Sequence, residues 1–459
     1  MDYTSPMISK LLKNLAVVDR LLFVLVLILL PLGFLIRIGT KTIIEAHSRT
    51  LVFTHWWQEA LEKDALKRLV NEFEKQHPGI TIKLEHLSYQ KMEERLFTGD
   101  GSALSRSDIL ALDLRWLSEL TRQDRLMPLD AYREKTGAGE NRAFVPGLDS
   151  YEAQGSPAVW ALPVVSFMVP LFYHVELLQA AGFDRPPKTR ADFLRYARAI
   201  THAQSGRYGI ALALNPQDPE SLSVDVYPWF WASGEGLLQE GKPNFTSPPV
   251  QETLDFLHTL YKEELLAPDM FEKTREQKLQ DFAQGKIAMM LASVQDIHTL
   301  QQEMGDERFG ITTVPSLDTG KKPVFGLTSW YTGISRYTEY PDQAWAFISF
   351  LAEQSSLVAA ASHAVPGNWS GTRSLKGALY AKAYDMYEGA DGMQEFAGLP
   401  QLHDLETIVR EELYALFIQG QDAGTTAASL QRRWEAALPK AGPEPVFSAK
   451  ALRGGPALP

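Results

Sequence analysis

The sequence predicts an α/β protein with open sheets of mainly parallel strands, preceded by a transmembrane helix. Three observations carry this reading. Short apolar runs alternate with helix-period segments from Leu51 to Arg125. A second strand-and-helix series begins at Ala161. Sixteen uncharged residues, Leu21–Ile36, stand near the N-terminus between basic flanks. Strands separated by helices pair in parallel, because a parallel partner needs a crossover of a dozen or more residues.

The N-terminal run reads LLFVLVLILLPLGFLI, after Lys10, Lys13 and Arg20 and before Arg37 and Lys41. At 1.5 Å per residue it spans about 24 Å, short of the roughly 30 Å hydrocarbon core. Arg20 and Arg37 can snorkel and extend it. A removed signal peptide and an uncleaved anchor compete for this segment. Cleavage needs small residues just past the run, but Arg37-Ile38-Gly39-Thr40-Lys41 follows. The nearest A-x-S match, Ala46 to Ser48, lies far downstream, which favours an anchor. The upstream positive charges place the N-terminus in the cytoplasm and everything after residue 48 outside it.

In the body, Leu51–Thr54 is a buried strand. Ala60, Leu61, Ala65, Leu66, Leu69, Val70 and Phe73 then recur at helical spacing until His77-Pro78-Gly79 stops them. Ile80–Leu87 alternates as a second strand, Lys91–Thr98 is a helix, Asp108–Leu112 a third strand and Leu114–Arg125 a third helix. The apolar stretch Ala161–Tyr173, broken by Pro163 and Pro170, opens the second series. Val175–Ala181 is a short helix, and Thr189 caps the next. Tyr208–Leu214 returns as a strand. Ser247-Pro248 starts a helix running to Lys262. Lys286–Leu291, Phe309–Val314 and Val324–Ile334 are further apolar strands. Gln343–Leu351, Leu405–Gln419 and Thr425–Leu438 are late helices, and Ala441–Pro459 is a frayed tail.

Composition narrows the function. The chain has 459 residues, 45% hydrophobic, with net charge −11. Five cationic and three anionic side chains lie in the first 48 residues, so the body carries −13. An acidic body argues against nucleic acid as a partner. No cysteine means no disulfide, thiolate metal site, Cys nucleophile or cysteine-linked lipid anchor. Ser88-Tyr89-Gln90-Lys91 and Lys135-Thr136-Gly137 match the S-x-x-K and K-T-G signatures, but too little chain separates them for the intervening domain. No G-x-S-x-G elbow, no H-E-x-x-H and no glycine-rich nucleotide fingerprint is present. Glu263-Glu264 and Glu411-Glu412 read as solvated helix faces. Neither a catalytic residue nor a metal or cofactor is expected.

Aromatic placement stands out instead. Trp56 and Trp57 follow the first strand, Trp116 the third, and Trp330 and Tyr331 follow Thr328-Ser329. Trp229, Phe230 and Trp231 sit in a loop-like context after Pro228, and Trp369 lies among glycines and proline. Open parallel sheets bind ligands at the carboxyl ends of their strands. Indoles there stack on the C–H face of a sugar while polar neighbours take its hydroxyls. Trp160, Trp345 and Trp434 are assigned to packing.

With these segments in order, the chain resembles the family 1 extracellular solute-binding proteins of ABC importers, the maltose-binding-like group. The likeness covers residues 49 to 440. It rests on Leu51–Leu84, Asp108–Asp130, Trp160–Thr201, NFTSPPVQETLDFLHTLY, FAQGKIAMML, FGITTVPSL and PDQAWAFISFLAEQSS, in the family's order. The resemblance implies a two-lobe, type II periplasmic-binding-protein-like fold with three hinge crossovers, near Val165–Leu171, Gly326–Tyr331 and Ala361–Pro366. Lobe 1 would comprise 49–167 and 329–364, and lobe 2 would comprise 168–328 and 365–440. Ligand contacts are expected from Trp56, Trp57, Ser88, Asp113, Ser166, Phe167, Trp229, Trp231, Trp330, Tyr331 and Trp369. Two departures speak against maltodextrin. Ser166-Phe167 stands where maltose-binding-like members carry an acid, and Leu291–Asp296 lacks the tryptophan often found there. The implied function is capture of a carbohydrate outside the cytoplasm by a membrane-tethered monomer, and its delivery to ABC permease subunits. An anchored sugar sensor signalling through a partner, or an anchored glycan-acting enzyme, are the alternatives.

Overall fold

Arg49–His55 forms the first strand, β1, of a computed structural model. The structure describes residues 49–57, 61–98, 102–136, 151–153, 156–239, 241–318, 320–367, 373–393, 395–396, 399 and 402–438. The expected membrane helix, the tail and Trp369 lie outside the described residues. In β1, Leu51 and Phe53 point into the core. Helix α1 (Ala65–Gln76) adds Leu66, Leu69, Val70 and Phe73 from one face, its charged residues outward. Strand β2 (Ile80–His86), helix α2 (Tyr89–Phe97), strand β3 (Ile109–Asp113) and helices α3 (Leu114–Arg122) and α4 (Asp130–Thr136) follow. β1 pairs in parallel with both β2 and β3, as strand–helix–strand order demands. The hairpin β4 (Tyr151–Ala153) and β5 (Ser156–Ala158) precedes β6 (Leu162–Val169), which is buried along its whole length.

Pro170 separates β6 from β7 (Leu171–His174), and the chain enters a second sheet. Helices α5 (Val175–Ala180) and α6 (Arg190–Ile200), strand β8 (Tyr208–Ile210), and short helices α7 (Ser221–Asp225) and α8 (Tyr227–Trp231) come next. Then come β9 (Leu238–Gln239), β10 (Lys242–Pro243), α9 (Pro248–Lys262), α10 (Arg275–Ala283), β11 (Ile287–Leu291), α11 (Asp296–Met304) and β12 (Phe309–Thr312). The long β13 (Val324–Ile334) returns to the first sheet. It is followed by α12 (Pro341–Glu353), α13 (Ser355–Ala361), β14 (Val365–Pro366), α14 (Ala378–Gly389), β15 (Asp391–Met393), α15 (Leu402–Phe417) and α16 (Ala423–Ala437).

Among the described residues the first sheet runs β14-β6-β13-β3-β1-β2, with β15 also on β13, and the second runs β12-β7-β11-β8. β13 is antiparallel to both β3 and β6. Three strands carry the chain between lobes. Side-chain packing leaves the first-lobe core between Phe167 and Met168, between Trp330 and Leu327, and between Ala364 and Val365. The β6–β13 ladder nevertheless runs on through the first two points, and β14 joins β6 just past the third. Backbone pairing therefore continues where the two cores part.

Several expectations change at element level. The strand expected to reach Leu214 ends at Ile210, where its pairing with β11 stops and a single parallel bridge to Leu266 is made on the other side. Thr189 caps α6 as expected, accepting from Asp192 N at 3.2 Å. Ser247 precedes α9 without a capping bond, so Pro248 alone marks that start. Trp229–Trp231, expected in a loop, lie in α8 inside the second-lobe core. Among the described residues no single helix is long and apolar enough to cross a membrane. The bent pair α12–α13, which passes by composition, is broken at 63°. Its apolar residues pack in the first core.

His55, at the end of β1, is buried, its Nδ1 is unpartnered, and its ring lies 5.8 Å from that of His86. Burial, with His86 nearby, lowers its pKa from 6.5 to about 4. The folded protein resists a proton that the unfolded chain accepts. The neutral His55 thus contributes stability above about pH 6.5, and this is lost as pH falls toward 4, about 3 kcal/mol in all. Urea unfolding should show stability falling between pH 6.5 and 4, with a shallower slope in His55→Gln.

Candidate functional site

The carboxyl end of β3 places Asp113 at the start of α3, facing the second lobe. Asp113 Oδ1 caps that helix by accepting from Arg115 N at 2.9 Å. The same carboxylate grips the Arg115 guanidinium twice, Nε to Oδ1 and Nη2 to Oδ2, each at 3.1 Å. Arg115 Nη2 also donates to Tyr89 Oη at 3.1 Å. Its remaining arm, Nη1, donates to the carbonyl of Pro219 in the second lobe. Burial opposes the charge on Arg115, but Asp113 and Tyr89 outweigh it and hold its pKa well above the usual value.

Beside this contact lies a cavity of about 40 Å³ between the lobes. The first lobe contributes Asp113, Leu114, Arg115, Ser329 and Trp330. The second contributes Glu220, Ser223, Trp231, Glu395, Phe396 and Leu402. β13 shifts register between Trp330 and Tyr331, and such irregularities re-aim side chains. Trp330 thereby reaches the cavity, while Tyr331 packs in the cluster of Leu112, Trp116 and Leu120. Trp330 stacks on Trp57 at 5.3 Å and 9°, with Phe167 edge-on at 4.8 Å.

The second-lobe wall is held from behind. Asp225, at the end of α7, is gripped by Lys278 Nζ at 2.6 Å to both oxygens, and Lys278 also donates to the Leu291 carbonyl at 2.8 Å. Burial raises the Asp225 pKa to about 6 despite Lys278. Glu395 accepts from Trp231 Nε1 at 2.7 Å and Leu238 N at 2.5 Å, and burial pushes its pKa up. A Cβ on Gly236 would lie 2.2 Å from Glu395 Oε1, so any larger residue there would displace this carboxylate. Burial likewise raises the pKa of Glu220 and Glu406, against the pull of Arg115 on each. A second groove, of about 610 Å³, lies where His363 of the first lobe meets His298 of α11, their rings stacked at 3.9 Å.

Of the residues expected from sequence, Asp113, Trp231 and Trp330 line the cavity. Ser166 stands one strand behind it, its Oγ 2.8 Å from that of cavity-lining Ser329. Trp57 and Phe167 back Trp330. Trp56 packs on Trp116 at 5.0 Å and Tyr89 at 5.6 Å. Ser88 is an exposed helix cap. Trp229 is fully buried in the second core against Phe193 and Phe256, so its indole supports the wall rather than lining the cavity. Sequence reasoning missed Arg115, Glu220, Glu395, Phe396 and Leu402. Arg115 alone carried a signal, two residues past Asp113 at a strand end. Among the described residues no group of His, Cys, Asp and Glu is placed to hold a metal ion.

Two α/β lobes joined by crossing strands, with a polar and aromatic cavity between them, define a hinged binding protein. The chain belongs to the bacterial extracellular solute-binding protein family, whose profile matches residues 59–356. A relative from Brucella abortus (strain 2308) is 24% identical over 290 residues, 61% of this chain and 67% of that one. The melibiose/raffinose/stachyose-binding protein MelE of Bacillus subtilis (strain 168) is 23% identical over 365 residues, 76% of this chain and 80% of MelE. The structure of the sugar-binding protein MalE from Xanthomonas citri matches with a TM-score of 0.70 at 20% identity, covering 85% of this chain and all of that one. The family and these neighbours are binding proteins rather than enzymes.

Lys278→Met leaves Asp225 buried and unpaired, and should cost about 3–5 kcal/mol in chemical denaturation. Arg115→Ala removes the interlobe bond. Small-angle scattering of the unliganded variant should give a larger radius of gyration, an opening worth about 1.5–3 kcal/mol for a bond to a charged donor.

Proposed function

We propose that this chain is the solute-capturing component of an ABC importer. It binds a carbohydrate, an oligosaccharide or sugar derivative, between its lobes and delivers it to membrane permease subunits from outside the cytoplasm, tethered by its N-terminal helix. The observation that carries this reading is Trp330 at the interlobe cavity, flanked by the polar groups of Asp113, Arg115 and Ser329. An indole offers a flat apolar face to a sugar ring, and the carboxylate, guanidinium and hydroxyl suit ring hydroxyls. Family membership and the sugar-binding relatives support the same ligand class. The mechanism is hinge closure: ligand contacts both walls only when the lobes approach, so it selects the closed state. A tether raises the local concentration of binder at the permease.

A thermal-shift screen of the full chain against a sugar library should find ligands that raise the melting temperature, since binding the native state stabilises it. Titration of Trp330→Ala with such a ligand should show about tenfold weaker binding, ~1.4 kcal/mol, with the fold retained. Trp229→Ala should instead lose about 3–5 kcal/mol of stability, as large core truncations do. Equal affinity of Trp330→Ala and the parent would remove the indole from the site.

A further inference from the structure

The two cores part at Ala364–Val365, and the residue just before this crossing, His363, meets the second lobe. Its imidazole stacks on that of His298 in α11, with ring centroids 3.9 Å apart and planes 6° from parallel. His363 follows α13, whose Val358 and Ala359 pack in the first core. α11 instead packs through Ile297, Leu300 and Met304 in a second-lobe cluster with Phe172 and Phe282. The stack is therefore a contact between lobes, as the Arg115 bond is, but built from two groups that each titrate near neutral pH. His363 holds a φ of 54°, a left-handed backbone that few side chains adopt, so the chain turns sharply where the ring is presented.

Both rings are half-buried on the wall of the 610 Å³ groove, so solvent protons reach them. Glu62 faces His363 from the segment before α1, and its backbone N–H donates to the Ala361 carbonyl at 2.8 Å. Arg275 and Glu276 of α10 and Asp296 and Glu303 of α11 line the same groove. Arg275 and Asp296 are bonded to each other at 2.7 Å. Glu276 and Glu303 are exposed, where salt screens them. Gln302 Nε2 stands 2.9 Å from His298 Nε2, an amide rather than a counter-ion. Burial, and then His298, lowers the pKa of His363, while Glu62 pulls it the other way.

We propose that the His298–His363 stack is a proton-sensitive latch between the lobes: with neutral rings it holds the arrangement described above, and with both rings protonated it releases, so that the cleft opens in acid. The latch acts whichever solute the cleft takes. The pair accepts one proton and resists the second, because two like charges would then lie face to face. Separated rings carry no such penalty. The stacked form thus resists a proton that the open form accepts, so the contact is whole above about pH 6.5 and is lost as pH falls below it. A solute held by both walls is then bound more weakly in acidic surroundings than in neutral ones.

The test is single-pair fluorescence energy transfer on the full chain. The sequence has no cysteine, so Lys67→Cys on exposed α1 and Lys262→Cys at the end of α9 give one label on each lobe. The open-to-compact ratio should rise at least about fivefold between about pH 7.5 and 5.5, within a limit of about tenfold per pH unit for each extra proton the open form binds. Circular dichroism at each pH checks that both lobes remain folded. His298→Phe keeps a ring for His363 to stack on but cannot gain a charge, so its ratio should stay low and flat across the range. His363→Asn suits the left-handed backbone and removes the stack, so its ratio should be high at pH 7.5 and equally flat. The half-buried His298 position keeps the test open if the His363 substitution disturbs the turn. A parent ratio that ignores pH would overturn the inference. So would an acid-driven rise that survives in either variant, which would assign the opening to other groups such as the buried carboxylates beside the cleft.

Discussion

One side chain, Arg115, links the two lobes beside the cavity. Arg115 is fixed in the first lobe by three bonds, two to Asp113 and one to Tyr89, and extends its last arm to a carbonyl of the second. Because its planar fork is immobilised within its own lobe, little rotamer entropy is left to lose when the lobes meet. One charge-assisted bond is worth about 1.5–3 kcal/mol. Hinged binding proteins partition open and closed states over a few kcal/mol. A contact of this kind is comparable to that difference, and it lies beside a cavity of about 40 Å³.

The crossing strands explain how such a contact can be made and broken. At Phe167–Met168, at Leu327–Trp330 and at Ala364–Val365 the apolar side chains change cores within a few residues. Packed cores are bistable rather than deformable, so motion concentrates where packing changes hands. The β6–β13 ladder persists through the first two of these points, and β14 joins β6 just past the third, so backbone pairing ties the lobes together where their cores part. The register shift at Trp330–Tyr331 lies in the middle crossing. The residue that meets the cavity and the residue that packs beneath the sheet are therefore adjacent on the hinge itself.

Much of the fold was legible because local signals agreed with it. The β1–α1–β2 opening, the third strand and helix, and the late helices all show the expected period. Their boundaries shifted by a few residues where caps, rather than periodicity, decide the end. Asp113 was legible because a carboxylate at a strand end is placed by strand geometry alone. Trp229 was not: a tryptophan-rich pentapeptide after proline reads as a loop, whereas Pro228 starts a short helix whose indole the second core absorbs. Glu220, Glu395 and Leu402 come from three distant segments, and nothing in their own neighbourhoods announces that they meet. Their convergence is tertiary, fixed by the Lys278–Asp225 pair behind α7 and by Glu395 on Trp231.

The aromatic floor has a consequence for affinity. Trp330 meets Trp57 nearly face to face, so one face of its indole is already occupied within the protein, and only its cavity side is available to a ring. That pairing orients the indole before ligand arrives. Aromatic pairs contribute about 0.5–1.5 kcal/mol beyond the area they bury, which is enough to hold one rotamer. Under the proposed function, a sugar ring would stack on an indole that is already ordered. The second wall contributes Trp231 of α8, whose Nε1 is tied to Glu395, while Trp229 is sealed in the core. The two walls thus differ: the first lobe sets an indole and the mutually bonded Asp113–Arg115 pair beside the cavity, and the second sets Glu220, Ser223, Trp231 and Glu395 there.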